Sequence, residues 1–179
     1  FRDNGFETTL ISGQTNLDPL SGLNFVKVET AQEMFDQTIK NLPADVAVFT
    51  AAVTDFKPKK IESYKIKKGS FENFELEQTI DILNYASKNN KLRPKLVIGF
   101  AAETNNLLEN ARKKLDEKNC DWIIANDVSN KKIGFDSEYN EVKIFQQNKK
   151  GYEIISYNTK EMIAKELVEK ISNEFKANG

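Results

Sequence analysis

The stretch that most constrains the fold is Val46–Lys60, where an apolar run passes into small residues, an aspartate and lysines. Val46–Phe49 is too short to cross a membrane and is typical of a strand buried on both faces, in the centre of a parallel sheet. Ligands bind beyond the carboxyl ends of such strands. Asp55 can accept hydrogen bonds from sugar hydroxyls, and lysines can neutralise phosphates. The stretch therefore predicts a nucleotide site.

The composition bounds the class of protein. The 179 residues suffice for one α/β domain, and 39% hydrophobic with 30% charged residues is an ordinary globular balance. The formal net charge of −1 gives no reason to expect a nucleic-acid partner. Cys120 is the single cysteine, which excludes an internal disulfide and favours a reducing compartment. No apolar stretch approaches the roughly 20 residues of a membrane helix. We expect one cytoplasmic domain over residues 1–179, with no membrane contact.

Histidine is absent from the sequence. This excludes Ser-His-Asp and Cys-His nucleophilic sites and removes the commonest zinc ligand, so no side-chain metal site is predicted. Cys120 has no histidine to activate it and is expected to be a small packed residue. The chemistry left to the chain uses lysines, carboxylates, amides and backbone dipoles, a set that suits phosphate groups.

Strand-like and helix-like segments alternate along the chain. This order predicts an α/β fold with a mainly parallel sheet covered on both faces. An antiparallel hairpin over Glu141–Tyr157 is expected near one edge of that sheet. Thr30 with Glu33 forms a capping-box pattern, Thr79 is expected to cap a later helix, and Asn105 or Asn106 the long helix after it.

Three predicted strands end alike, with small residues followed by polar ones. Because the carboxyl ends of parallel strands share one edge of a sheet, we expect these endings to line a single pocket. Small residues there let a flat ring or a phosphate approach the backbone. The endings are Ala51-Ala52 with Asp55, Gly99–Glu103, and Ala125-Asn126-Asp127.

Each candidate side chain also has a structural interpretation. Phe100 either belongs to the core or stacks on a base, and Asp55 either caps a turn or holds a ribose. Asn126 and Asp127 either form a turn or offer an amide and a carboxylate to substrate. Lys114 and Lys118 lie four residues apart on one helix face, and from the residues alone they are expected to be ordinary surface charges. No glycine-rich phosphate fingerprint is present.

Four motifs taken together resemble phosphopantothenate–cysteine ligase, the synthetase half of a bacterial bifunctional coenzyme A biosynthesis flavoprotein. The motifs are Ala51–Phe56, Lys65–Lys68, Gly99–Asn106 and Ala125–Ser129. The resemblance spans the whole chain and implies a Rossmann-like three-layer domain. It also implies a reaction in which CTP activates 4′-phosphopantothenate as an acyl-cytidylate and the cysteine amine then displaces CMP.

The resemblance implies a role for several residues. Lys65 would contact the nucleotide and assist acyl transfer, and Asp55 would bind the ribose. Gly99 and Phe100 would cradle the cytosine. Lys114 and Lys118 would hold charge that develops on departing pyrophosphate.

The resemblance also implies partners. Mg²⁺ would accompany CTP, and no flavin would bind this chain. The protein would form a homodimer, for which the hairpin is a candidate interface. It would also be fused to or associated with a flavin-dependent decarboxylase domain. The family's N-terminal glycine-rich strand, turn and helix are not found in the sequence. Gln78–Ile82 stands where the family carries Asn-Pro-Asp-Ile, with Asp81 in register. The choice between CTP and ATP stays open.

Two alternatives remain at this point. One is a Rossmann-like NAD(P)-dependent oxidoreductase, which thermal stabilisation by NADH and not by CTP would favour. The other is a nucleotide-binding or dimerisation module without catalysis, which the absence of ligase turnover would favour.

Overall fold

The structure is a computed structural model that describes residues 1–15, 17–18, 20–60, 75–88, 91–129, 133 and 137–178. A 3₁₀ turn, Arg2–Asn4, opens the chain, and Gly5 ends it with a positive φ of 82°. The strands are β1 Thr9–Ser12, β2 Asn24–Lys27, β3 Val46–Phe49, β4 Phe56–Pro58, β5 Leu76–Gln78, β6 Leu96–Glu103, β7 Trp122–Asp127, β8 Tyr139–Gln146 and β9 Glu153–Thr159. The helices are α1 Ala31–Lys40, α2 Ile82–Lys88, α3 Leu107–Lys118 and α4 Lys160–Asn178.

Five of these strands form the main sheet, in the order β3-β6-β7-β8-β9. β3, β6 and β7 are parallel, whereas β7–β8 and β8–β9 are antiparallel. The predicted hairpin therefore lies at one edge of a mixed sheet. β1 and β2 form a separate parallel pair, and β4 with β5 forms a short antiparallel ribbon.

Two hydrophobic clusters lie on the two faces of the main sheet. Leu96 and Ile98 of β6 belong to the cluster that includes Ile163 and Ile171 of α4. The alternate residue Val97 belongs to the other cluster, with residues of α3. Because successive side chains of a strand point to opposite faces, β6 contributes to both clusters. The predicted three-layer α/β architecture is confirmed.

The position predicted for β3 is wrong. The sequence places Val46–Phe49 at the centre of a sheet, but β3 is an edge strand of the main sheet and all four of its residues are only partly buried. Among the described residues, its one strand partner is β6. A run of apolar residues indicates that its side chains are buried, but it does not predict how many strands pair with it.

The helix N-termini agree with the sequence in part. The Thr30 hydroxyl accepts from the Glu33 amide at 3.1 Å, which confirms that cap. Thr79 does not cap α2: Asp81 Oδ1 accepts from the Asn84 amide at 2.9 Å, and the Thr79 hydroxyl instead donates to the Thr54 carbonyl. Asn106 occupies the N-cap position of α3 with a φ of 45° but makes no side-chain cap.

In the described part of the chain, no helix combines the length and apolar character that crossing a bilayer requires.

Candidate functional site

A cavity of about 690 Å³ opens beside β3, and we call it the central cavity. Its walls come from β1, α1, β3, the segment after β3, and the first residues of α2. Five of the candidate site residues predicted from the sequence line it: Ala51, Asp55, Phe100, Lys114 and Lys118. The carboxyl end of β3 and one face of α3 therefore meet in one place.

Four other candidates are not among the residues that line this cavity, and one cannot be placed. Ala52, Gly99, Asn126 and Asp127 lie outside the lining set. Lys65 lies outside the residues that the structure describes. The polar residues at the end of β7 therefore do not line the cavity, whereas residues at the ends of β3 and β6 do.

Gly99 has a packing role that the sequence does not indicate. A Cβ at this position would lie 2.6 Å from Cδ2 of Leu83 and 2.9 Å from Cδ1 of Ile123. Leu83 comes from α2, so the missing side chain lets α2 approach β6 closely. The glycine is explained by helix–sheet contact without any ligand.

The polar end of β7 forms local hydrogen bonds. Asp127 Oδ1 accepts from the amide and the hydroxyl of Ser129, at 2.8 and 2.6 Å. The Ser129 hydroxyl, followed by its amide, lowers the pKa of Asp127. The Asn126 amide donates to Oδ1 of Asn140 at 3.4 Å. This geometry corresponds to the turn interpretation of the segment.

Lys118 has an acidic partner inside the cavity. Its ammonium forms an ion pair with Asp81, whose other carboxylate oxygen caps α2. The Lys118 side chain is 27% exposed and that of Asp81 is 40% exposed. Asp81 therefore fixes one cation and one helix start at the same time. The pair joins residues far apart in the chain, so spacing alone does not reveal it.

Two hydrogen bonds join the segment after β3 to the segment before α2. The Thr79 amide donates to the Asp55 carbonyl at 2.9 Å, and the Thr79 hydroxyl donates to the Thr54 carbonyl. Asp55 accepts through its backbone carbonyl here, and the residue also lines the cavity.

Phe100 lies between the core and the cavity. Its ring is partly buried against the cluster under α4, and it also lines the cavity. A ring held by the core on one side and facing a cavity on the other is fixed in orientation, as a stacking platform requires.

Helix α3, which carries both cavity lysines, is anchored from its other side. The Arg112 guanidinium donates to the carbonyls of Gln146, Lys149 and Gly151, at 3.2, 3.4 and 2.7 Å. These bonds attach the helix to the β8–β9 turn. The lysines therefore project from a helix whose rotation is restricted.

Cys120 is buried, as expected, and carries no reactive character. Burial raises the pKa of its thiol to about 11, so the group stays neutral at physiological pH. Within the described ranges, no group of three or more His, Cys, Asp or Glu side chains is arranged to hold a metal ion.

Taken together, the cavity offers an aromatic ring and two lysines among apolar and small residues, with four carboxylate residues also in its lining: Glu7, Asp45, Asp55 and Asp81. Cations beside small residues favour phosphate binding, and a ring beside a carboxylate favours a nucleoside. The arrangement can therefore bind a nucleotide and stabilise negative charge.

The chain is similar to known proteins over nearly its full length. Residues 1–175 match the family model described as DNA/pantothenate metabolism flavoprotein C-terminal domain. The chain is 37% identical over 168 residues to the Coenzyme A biosynthesis bifunctional protein CoaBC of Borreliella burgdorferi, covering 92% of this chain and 41% of that protein. It is 40% identical over 144 residues to the CoaBC protein of Bacillus subtilis, covering 79% of this chain and 35% of that one.

Solved structures have the same fold. The crystal structure of the C-terminal domain of a CoaBC protein aligns with a TM-score of 0.77 at 34% identity, covering 98% of this chain and 78% of that one. A DNA/pantothenate metabolism flavoprotein from Streptococcus pneumoniae aligns with a TM-score of 0.75 at 22% identity, covering 96% of this chain and 83% of that one, which supports the fold alone.

The chain spans between 35% and 43% of the length of three curated relatives that it matches. The family model nevertheless covers almost all of the chain, and the identity to CoaBC proteins exceeds 30% over most of it. The chain therefore belongs to the DNA/pantothenate metabolism flavoprotein C-terminal domain family.

Proposed function

We propose that this chain is the nucleotide-binding part of a phosphopantothenate–cysteine ligase of coenzyme A biosynthesis. The observation that carries the proposal is the meeting of Asp55, Phe100, Lys114 and Lys118 in one cavity, in a chain of this family. The proposed substrates are CTP, 4′-phosphopantothenate and cysteine, and the proposed intermediate is an acyl-cytidylate.

The cavity residues suit the first half of that reaction. The substrate carboxylate itself attacks the α-phosphorus of CTP, the bond to pyrophosphate breaks, and no strong base is needed. Lys114 and Lys118 would stabilise the charge that collects on the departing pyrophosphate. Asp55 would hold the ribose hydroxyls, and Phe100 would orient the base. In the second half, the cysteine amine would attack the activated carbonyl and displace CMP.

Mg²⁺ is proposed to enter with the triphosphate. Because the described residues offer no three-ligand metal cluster, the ion would be held by phosphate oxygens and water, which is usual for Mg²⁺. When bound, it would neutralise phosphate charge. The chain's own part would be to supply the two lysines that line the cavity as further positive charge for the phosphates.

The proposal is tested in the full-length protein by pyrophosphate release from CTP with phosphopantothenate and cysteine. We expect Lys118→Gln to raise the Kd for CTP roughly tenfold or more, because a charge-assisted hydrogen bond contributes ~1.5–3 kcal/mol. Lys113→Gln is the matched control: this lysine is on the same helix, is 67% exposed and pairs with Glu117. Turnover without CTP dependence, or stabilisation by NADH and not by CTP, would contradict the proposal.

Lys65 remains the proposed residue for acyl transfer, on the strength of the sequence motif alone. Lys65→Gln is expected to abolish product formation while leaving the unfolding free energy unchanged. If turnover in this variant equals that of the natural chain, Lys65 has no part in the mechanism.

A homodimer and a fused flavin-dependent decarboxylase are also proposed. The relatives that support the fusion are named as bifunctional proteins. For the dimer, β9 is an edge strand, and the rings of Tyr139 and Tyr157 stack on the hairpin at 5.2 Å while 43% and 54% exposed. Exposed stacked aromatics on a sheet edge are typical of contact surfaces.

A further inference from the structure

Lys118 and Asp81 form an ion pair, and both residues line the central cavity. We propose that Asp81 is a positioning residue that holds Lys118 while the cavity is empty and competes for it with a bound phosphate. The competition keeps pyrophosphate binding weak enough for this product to leave. The identity of the anion rests on the proposed function, whereas the competition requires only an anion that reaches Lys118.

The carboxylate of Asp81 is held in place by the start of α2. Its Oδ1 accepts from the Asn84 amide at 2.9 Å, and its backbone carbonyl accepts from the Tyr85 amide at 2.9 Å. These two bonds place Asp81 at the N-cap of α2 and fix the direction of its side chain. The other oxygen, Oδ2, is the one that pairs with Lys118. Asp81 therefore offers Lys118 a fixed acceptor that does not follow the ammonium when it moves.

Lys118 is the partner that can turn away. Its ammonium ends a flexible four-carbon stem, so it can move from Asp81 to a ligand in the cavity while the backbone of α3 stays in place. After that movement Oδ1 of Asp81 still accepts from the Asn84 amide, and the start of α2 is kept. Opening the pair therefore removes one ion pair and leaves the surrounding backbone hydrogen bonds intact.

Lys114, one helical turn before Lys118, has a different environment. It also lines the cavity, but among the described residues it forms no ion pair. Two ammonium groups four residues apart on a helix repel each other, and Asp81 reduces this repulsion in the empty cavity. A bound phosphate brings its own negative charge and takes over that function. One lysine of the site is thus ready for an anion, and the other exchanges a carboxylate for it.

The exchange affects the release of product. Each anion that reaches Lys118 has to displace Asp81, and a partly exposed ion pair of this kind raises the Kd of the anion about two- to fivefold. In the proposed reaction, the charge that collects on pyrophosphate draws Lys118 away from Asp81. When pyrophosphate leaves, the ammonium returns to a carboxylate instead of water alone. Asp81 therefore weakens the binding of product without removing the lysine that the reaction uses.

The experiment compares the full-length natural protein with its Asp81→Asn variant by calorimetric titration with inorganic pyrophosphate. The variant keeps an oxygen for the Asn84 amide and loses the charge that competes for Lys118. We expect its Kd for pyrophosphate to be about two- to fivefold lower than that of the natural protein. A residue that served stability alone would leave this Kd unchanged or raise it. Either of those results, or no binding of pyrophosphate by both proteins, would overturn the inference.

Two controls separate the pair from the general charge of the cavity. Asp45 also lines the cavity, but it pairs at 2.8 Å with Lys95, which does not line it. Asp45→Asn removes the same charge, and we expect it to change the Kd for pyrophosphate less than about twofold. In a Lys118→Gln background, Asp81→Asn should no longer tighten binding. An equal gain from Asp45→Asn, or a gain that persists without Lys118, would show that the pair is not responsible.

Turnover distinguishes this inference from the proposed function. With CTP, phosphopantothenate and cysteine, Asp81→Asn should lower the Ki of added pyrophosphate about two- to fivefold. If neither protein turns over CTP but the variant binds pyrophosphate more tightly, the ligase proposal fails and the inference about Asp81 stands. If Asp81→Asn weakens CTP binding and leaves the Kd for pyrophosphate unchanged, Asp81 acts on the nucleoside and the inference is wrong.

Discussion

Replacing Gly99 by alanine tests whether this position serves packing or the ligand. The added Cβ would lie 2.6 Å from Leu83 Cδ2 and 2.9 Å from Ile123 Cδ1. Carbon atoms attract one another best at about 3.5–4.0 Å, so both contacts are strongly repulsive. The atoms met are the ends of flexible side chains, which can move in part. We therefore expect Gly99→Ala to cost about 1–3 kcal/mol of unfolding free energy, the usual range for overpacking.

A double-mutant cycle isolates the contact with Leu83. Leu83→Ala removes both Leu83 atoms that the new Cβ meets and leaves only the 2.9 Å contact with Ile123. In that background we expect Gly99→Ala to cost about 1 kcal/mol less than in the natural chain. The measurement is urea-induced unfolding, followed by circular dichroism.

The result also separates packing from binding. If Gly99 serves packing, Gly99→Ala lowers stability, and the Kd for CTP measured well below the unfolding midpoint stays within about twofold. A variant of unchanged stability that has lost CTP binding would refute the packing explanation. Strict additivity of the two substitutions would refute the contact with Leu83.

Three further predictions concern single groups. Asp81→Asn keeps an oxygen for the Asn84 amide but loses the ion pair with Lys118, so it should lower the free energy of unfolding by at most about 1 kcal/mol. Asp81→Ala also removes the helix cap and should lower it by about 1 kcal/mol more. Both values are measured by urea-induced unfolding. Because the pKa of the Cys120 thiol is raised in the folded chain, the thiol of the unfolded chain ionises at lower pH, so the free energy of unfolding should fall as pH rises from about 9 to about 11. The Cys120→Ala variant should lack this contribution to the pH dependence. An equal fall of the unfolding free energy in both chains would contradict the raised pKa of Cys120. Tyr157→Ser should shift the sedimentation coefficient toward that of the monomer. Leu108→Ser is the control, because Leu108 is similarly exposed but lies on α3, and it should leave sedimentation unchanged. Equal sedimentation of the two variants would argue against the hairpin interface.

The main sheet was predictable where the side-chain pattern is strong. Leu96–Ile98 and Trp122–Ile124 are continuous apolar runs, and both are buried on two faces as such runs imply. The stripe of α4 that includes Ile163 and Ile171 was equally clear, since its spacing follows the helical repeat. These features depend on local pattern alone, and the family resemblance added the overall architecture.

Features that depend on distant partners were not predictable. The edge position of β3 depends on which strands lie beside it. The need for glycine at position 99 depends on Leu83, and the partner of Lys118 is Asp81, both in α2 or just before it. The true cap of α2 was also missed, because Thr79 and Asp81 are both good capping residues and only the backbone path chooses between them. In each case tertiary contact, and not local preference, decides the outcome.

Helix α4 follows in the chain every strand that it covers, and this has a consequence for synthesis. The cluster shared by Ile98, Ile124 and Ile144 is closed by Ile163 and Ile171 of that helix. While the ribosome is still making the chain, this face of the sheet stays uncovered until residues beyond 160 have emerged. Chains stalled before that point would expose a continuous apolar face and become targets for chaperones. Completion of α4 thus sets the time at which these strands can be covered on this face.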